Sequence, residues 1–263
     1  MIKFFRKLRK NRLEEGKFSK YLVYAIGEII LVVIGILIAL QINGWNETRK
    51  QENQEVLYLE RLVLENKQDL STFALSIQDL EKGNRTIEDL GRALNDPHSV
   101  DSTLMICVNE YLIYGCHYPF FNPSTSTFED LSSTGNLGVI RDTELRDLIV
   151  SHYAAYKFTE SNFLVSTNWA LPIDAPFYIE HDFLKYEPTA SFLYGAPESI
   201  NADDIRRDKV NYIRNAAVHY WVNTDCIHLL NGLTERTSAL VERLESEIKT
   251  RWIGCLLLGA MPG

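Results

Sequence analysis

Hydropathy along the chain is dominated by one run. Residues 21–42, YLVYAIGEIILVVIGILIALQI, are apolar at almost every position. A helix rises about 1.5 Å per residue, so about 20 such residues cover a hydrocarbon core of about 30 Å. The pattern predicts a membrane-spanning helix over 21–43, and no other stretch is long enough to cross. Lipid offers the backbone no hydrogen-bond partner, so the segment must be helical despite its β-branched content. Tyr21 and Tyr24 near one end, and Trp45 beyond the other, place aromatic rings at both interfaces. A secretory signal would have a shorter apolar core, about 7–15 residues, and a small-x-small cleavage site. Here Ala39 is followed by Leu40, Gln41 and Ile42, so an uncleaved anchor is expected.

Beyond Trp45 the pattern changes to a repeat of three and four. Val56, Leu59, Val63, Asn66, Leu70, Phe73, Ile77, Leu80, Asn84, Ile87, Gly91 and Leu94 make a heptad seam between charged positions. It predicts a long helix continuing out of the span. That helix is either a coiled-coil stalk or an amphipathic helix lying on its own domain, the second being favoured. Gly83 is a candidate break. Asp96-Pro97 ends the helix, residues 103–121 read as a buried apolar segment, and Asn122-Pro123 ends that. Ser126 with Glu129 matches a capping box. Asp142 is a candidate N-cap for a helix whose face carries Leu145, Ile149, Tyr153, Tyr156, Phe163 and Thr167. Residues 171–200 hold Pro172, Pro176, Pro188 and Pro197 and are expected to be irregular. From about Ala202 a long helix resumes, with Val222, Cys226, Leu229, Leu233, Leu240, Leu244 and Ile248 as its stripe. No useful alternating strand pattern occurs. The predicted class is all-α: one N-terminal transmembrane helix continuing into an extended periplasmic helical bundle over 44–250. An apolar tail follows at 251–263.

Charge sets the expected orientation. Residues 1–20 form a basic tail with eight Lys or Arg against Glu14 and Glu15. The far flank offers only Arg49 and Lys50. The positive-inside rule therefore puts the N-terminus in the cytoplasm of a bacterial inner membrane and the bulk of the chain in the periplasm. MIKFFRKLRKNRL also has the pattern of a basic amphipathic helix that could rest on the inner leaflet. The chain is formally −8; the tail carries +6 and Glu28 −1, so the part beyond the run carries −13. An acidic domain argues against nucleic acid as a partner.

Little in the sequence has the spacing of a catalytic or metal site. The four cysteines, Cys107, Cys116, Cys226 and Cys255, form no CxxC, and no Cys/His cluster has zinc spacing. Cys107 and Cys116 are the nearest pair for a disulfide, while Cys226 lies on the apolar stripe as a buried thiol. His117 beside Cys116, and His181 beside Asp182, are weak metal candidates. No catalytic, cofactor-binding or metal set is expected, nor any cofactor. Two sets of residues merit attention. Gly27, Glu28, Gly35 and Ala39 combine an acid with small residues inside the span. An ionisable group there usually meets a partner, a water path or the headgroups, and small residues let helices approach closely. Ser133, Gly135, Asn136 and Gly138 could hold a ligand on turn amides, although a plain helix connection explains them as well.

KYLVYAIGEIILVVIGILIALQINGWNE (20–47) and TFEDLSSTGNLGVIRDTELRDLIVSHY (127–153) together resemble an uncharacterised family of Bacteroidota, domain of unknown function 6090. The resemblance implies a single-pass inner-membrane protein with a periplasmic helical domain and supplies no catalytic residues. The expected role is non-enzymatic: a scaffold or accessory subunit that binds the bilayer and either itself or another membrane protein. A periplasmic small-molecule sensor is the alternative, and an ion-coupled single-span subunit using Glu28 a third.

Overall fold

The structure is a computed structural model that describes residues 18–181, 183, 189–194 and 201–257. Among them every regular element is helical, as expected. The helices are α1 (Phe18–Asn95), α2 (Asp101–Glu110), α3 (Ser126–Ser133), α4 (Thr143–Glu180), α5 (Ala202–Arg207) and α6 (Lys209–Leu257). A π-helical turn, Tyr111–Gly115, prolongs α2, and 3-10 turns occupy Asn136–Val139 and Ser191–Leu193. The proposed amphipathic helix at the N-terminus and the last six residues of the apolar tail lie outside the described residues.

The chain divides into two compact units after Glu55. The first contains the apolar run, which is long and apolar enough to cross a membrane and holds no buried residue in its most apolar stretch. The second, from Val56, is a bundle with two apolar cores. One joins α1, α3, α4 and α6 through Leu59, Leu62, Phe73, Leu131, Leu145, Ile149, Val222 and Leu240. The other joins Leu90 and Leu94 of α1 to Leu104, Val108, Phe177, Ile205 and Tyr212.

The α1 heptad packs on its own domain, but in a different phase from the one that hydropathy suggests. Leu59, Asn66, Phe73, Leu80, Ile87 and Leu94 are buried, as the seam requires. The companion row is Leu62, Asp69, Gly83 and Leu90, all buried, with Ser76 between them partly covered; Val63, Leu70, Ile77, Asn84 and Gly91 stay only partly covered. Asp69 belongs in the core because the Tyr156 hydroxyl (3.0 Å) and the Ser124 amide (2.9 Å) both donate to its carboxylate. Gly83 does not break the helix. A Cβ there would lie 2.8 Å from the Tyr114 carbonyl oxygen, so glycine is what lets the α2 extension pass close by.

Two other local expectations need correction. The capping box does not form: the N-cap of α3 is Thr125, without a side-chain bond to the backbone. Its hydroxyl donates instead to Glu129 (2.8 Å). The first turn is held from outside, by Glu65 of α1, which accepts from the Ser126 and Thr127 hydroxyls and the Thr127 amide. A carboxylate at a helix N-terminus satisfies orphan amides and the helix dipole, whichever helix supplies it. The proline-rich section is also more regular than expected. Helix α4 continues through Pro172 and Pro176 to Glu180, each proline giving up one backbone bond inside the helix. Asp142 caps α4 as predicted, accepting from the Glu144 and Leu145 amides at 2.9 and 3.1 Å.

Candidate functional site

The span candidates lie on α1 as the sequence suggests. At about 100° per residue, Glu28, Gly35 and Ala39 fall on one face, with Gly27 at its edge. Nothing among the described residues of that helix covers this face: a Cβ at Gly27 or Gly35 would have nothing within 4 Å, and Glu28 is exposed without a partner among the described residues.

The turn candidates meet at the connection between α3 and α4. Gly135 has φ +72°, a left-handed conformation that favours glycine. Asn136 and Gly138 follow in the 3-10 turn. The Ser133 hydroxyl donates back to the Asp130 carbonyl within its own helix (3.5 Å). Leu131 and Ile140 on either side are fully buried, so this turn returns the chain to the core. None of the four residues lines the cavity described next.

Between α3, α4 and the segment 121–125 lies a cleft of about 210 Å³. Phe121, Phe128, Tyr153 and Tyr156 supply its aromatic wall, and Glu129, Lys157 and Glu160 its charged rim. Phe128 stacks on Tyr153 with centroids 4.3 Å apart, and Phe121 meets Tyr156 edge-on at 5.8 Å. Behind the rings, Asn66 donates to the Tyr153 hydroxyl (3.2 Å) and Tyr156 donates to Asp69. Burial raises the Asp69 pKa, against the Ser124 and Tyr156 hydrogen bonds that hold it down. Asp69 and Glu65 tether residues 124–127, so one wall of the cleft is fixed by α1.

A second polar group is enclosed around Asp174, Asn215 and His219, all buried. His219 Nε2 lies 2.9 and 3.0 Å from the two oxygens of Asp174. Asn215 donates to Asp174 at 2.6 Å, and Tyr118 and Tyr111 donate to Asp174 and Asn215 respectively. This geometry puts a proton on Nε2, and Nδ1 has no partner among the described residues. Burial works to raise the Asp174 pKa, but the hydrogen bond and charge of His219, with the Tyr118 and Asn215 donors, hold the carboxyl below its usual range. Burial pushes the adjacent Cys116 thiol up to about 12, which keeps it protonated. Sequence reasoning missed this cluster. Its one signal was the polar row Asn215, His219 and Asn223 at steps of four on α6, all three buried.

The remaining chemical candidates do not assemble. Cys107, Cys116 and Cys226 are free thiols. His181 Nδ1 is 2.7 Å from the Phe177 carbonyl oxygen, and its Nε2 contacts Asp208. Asp182 lies outside the described residues. Among the described residues no three His, Cys, Asp or Glu side chains come together as a metal site.

Fold and composition thus define an all-α protein with one N-terminal helix long and apolar enough to cross a membrane. The chain belongs to the family of unknown function DUF6090, whose family model matches residues 28–162. No curated protein and no solved structure matches it.

Proposed function

We propose that the protein is a non-enzymatic scaffold or accessory subunit, anchored in the bacterial inner membrane by residues 21–43 and acting through helix–helix contact in the bilayer. The observation that carries this reading is the uncovered face of Glu28, Gly35 and Ala39. An acid in lipid costs several kcal/mol unless it meets a partner, and small residues beside it allow another backbone to come close. The bundle adds Trp169 and Trp221, both exposed, with ring centroids 5.8 Å apart; tryptophan is enriched where proteins meet. The excess of Lys and Arg before the span supports a cytoplasmic N-terminus and a periplasmic bundle. The test is the assembly size of the full chain after extraction in mild detergent. Glu28→Gln and Gly35→Leu should each reduce it to the monomer, or release a co-purifying membrane protein. If both variants keep the assembly of the parent chain, the reading fails.

A further inference from the structure

The cleft between α3 and α4 has the chemistry of a ligand site. At about 210 Å³ it is smaller than drug-sized pockets of about 300–1,000 Å³, and on the scale of a single amino acid. Lys157 and Glu160 stand one helical turn apart at its mouth. Opposite charges at this spacing on a helix ordinarily pair with each other. Here neither has an ion pair or a side-chain hydrogen bond among the described residues, so both charges remain free at the opening. Glu129, across the cleft on α3, is already engaged by the Thr125 hydroxyl. The wall below is aromatic, and its tyrosine hydroxyls are turned away to Asn66 and Asp69.

We infer that this cleft binds a small zwitterion: a free amino acid with an apolar side chain. Its carboxylate pairs with Lys157 and its ammonium with Glu160, while its side chain lies on the partly exposed rings of Phe121 and Phe128. A ligand with one charge would leave one rim group unanswered, and a wholly polar one would leave the exposed parts of Phe121 and Phe128 in water. The cleft is preformed, because Asp69 and Glu65 fix the segment that walls it, so little ordering opposes binding. The site is independent of the span contact, since Glu28 takes no part in it.

The test is calorimetric titration of the full chain in detergent with L-phenylalanine and L-leucine. Phenethylamine, which lacks the carboxylate, and 3-phenylpropionate, which lacks the ammonium, are the controls. The amino acids should bind saturably at or below the millimolar range, and each control at least about tenfold more weakly, the loss of one charged contact. Lys157→Gln should erase the advantage of L-phenylalanine over phenethylamine, and Glu160→Gln its advantage over 3-phenylpropionate. Both residues are exposed, so both variants should keep the parent melting temperature. Absence of saturable binding by either amino acid overturns the inference. So does equal binding of the controls, which would reduce the site to an aromatic surface. Unchanged preferences in both variants would remove the charged rim from recognition and overturn it too.

Discussion

Replacing His152 by leucine should remove a large part of the protein's sensitivity to mild acid. His152 is buried on α4, its ring 4.4 Å from that of Tyr156 and 5.2 Å from that of Tyr153. Neither ring nitrogen has a hydrogen-bond partner among the described residues. Burial, helped by the charge of Arg236, lowers its pKa from 6.5 to about 4. The folded state therefore binds fewer protons than the unfolded chain between those values, and stability falls as pH drops through that window. At about 1.4 kcal/mol per pKa unit, the full loss is about 3 kcal/mol. For a bundle of this size that is about 6–12 °C in melting temperature. At pH 7 the variant should be as stable as the parent or slightly more so, because it removes two unsatisfied buried nitrogens. The assay is the melting temperature of both proteins in one detergent from pH 7 to pH 4. Asp69, Asp142 and Asp174 titrate in both, so the difference between the curves isolates His152. Parallel curves would refute the reasoning: they would mean that His152 is solvated or partnered in the folded protein.

Three further substitutions test the packing. Asp174→Asn keeps the size of the side chain but removes the charge that Tyr118, Asn215 and His219 address, and should cost about 1.5–3 kcal/mol at neutral pH. Because the Asp174 pKa is depressed, its contribution is present above the usual carboxylate range and lost as pH falls through the folded value. The penalty should therefore vanish in strong acid, which pH-dependent melting of the two proteins checks. Gly83→Ala should destabilise by about 1–3 kcal/mol, because its Cβ meets a backbone oxygen that cannot swing aside. Gly232→Ala, with nothing within 4 Å, should instead gain up to about 1 kcal/mol of helix propensity; a matching gain at both glycines would mean that propensity and not contact decides.

Hydropathy carried the long helices and their order, but not the run of α4 on to Glu180 or the division of the last helical stretch into α5 and α6 at Asp208. It carried the α4 face, where Leu145, Ile149, Tyr153, Tyr156 and Phe163 are all buried, and most of the α6 stripe. It failed where the core is polar or empty of side chain. Asp69 and Gly83 hide the true inner row of α1, because burial there rests on partners from distant segments: Tyr156 for Asp69, and the Tyr114 carbonyl for Gly83. Glu65 capping α3 is the same kind of event, an acceptor lent by a residue some 60 positions earlier. Prolines misled in the other direction. Pro172 and Pro176 read as breaks, yet α4 runs on, and this concealed Asp174 between them. His219 read as one of several scattered histidines for the same reason.

The candidate surfaces differ in how much of them a sequence can carry. The span face is local: Glu28, Gly35 and Ala39 lie on one helix, so spacing alone brings them together. The cleft is not local. Its wall joins Phe121, Phe128 and Tyr156 across three segments, and its charges count only because Lys157 and Glu160 are left unpaired there. Both lie within residues 28–162, the stretch that the family model matches, whereas Asp174, Asn215 and His219 lie beyond it. The enclosed Asp174 cluster is better understood as the polar junction between two apolar cores. Its donors are spent on one carboxylate, and every member but Tyr118 is sealed from solvent or nearly so.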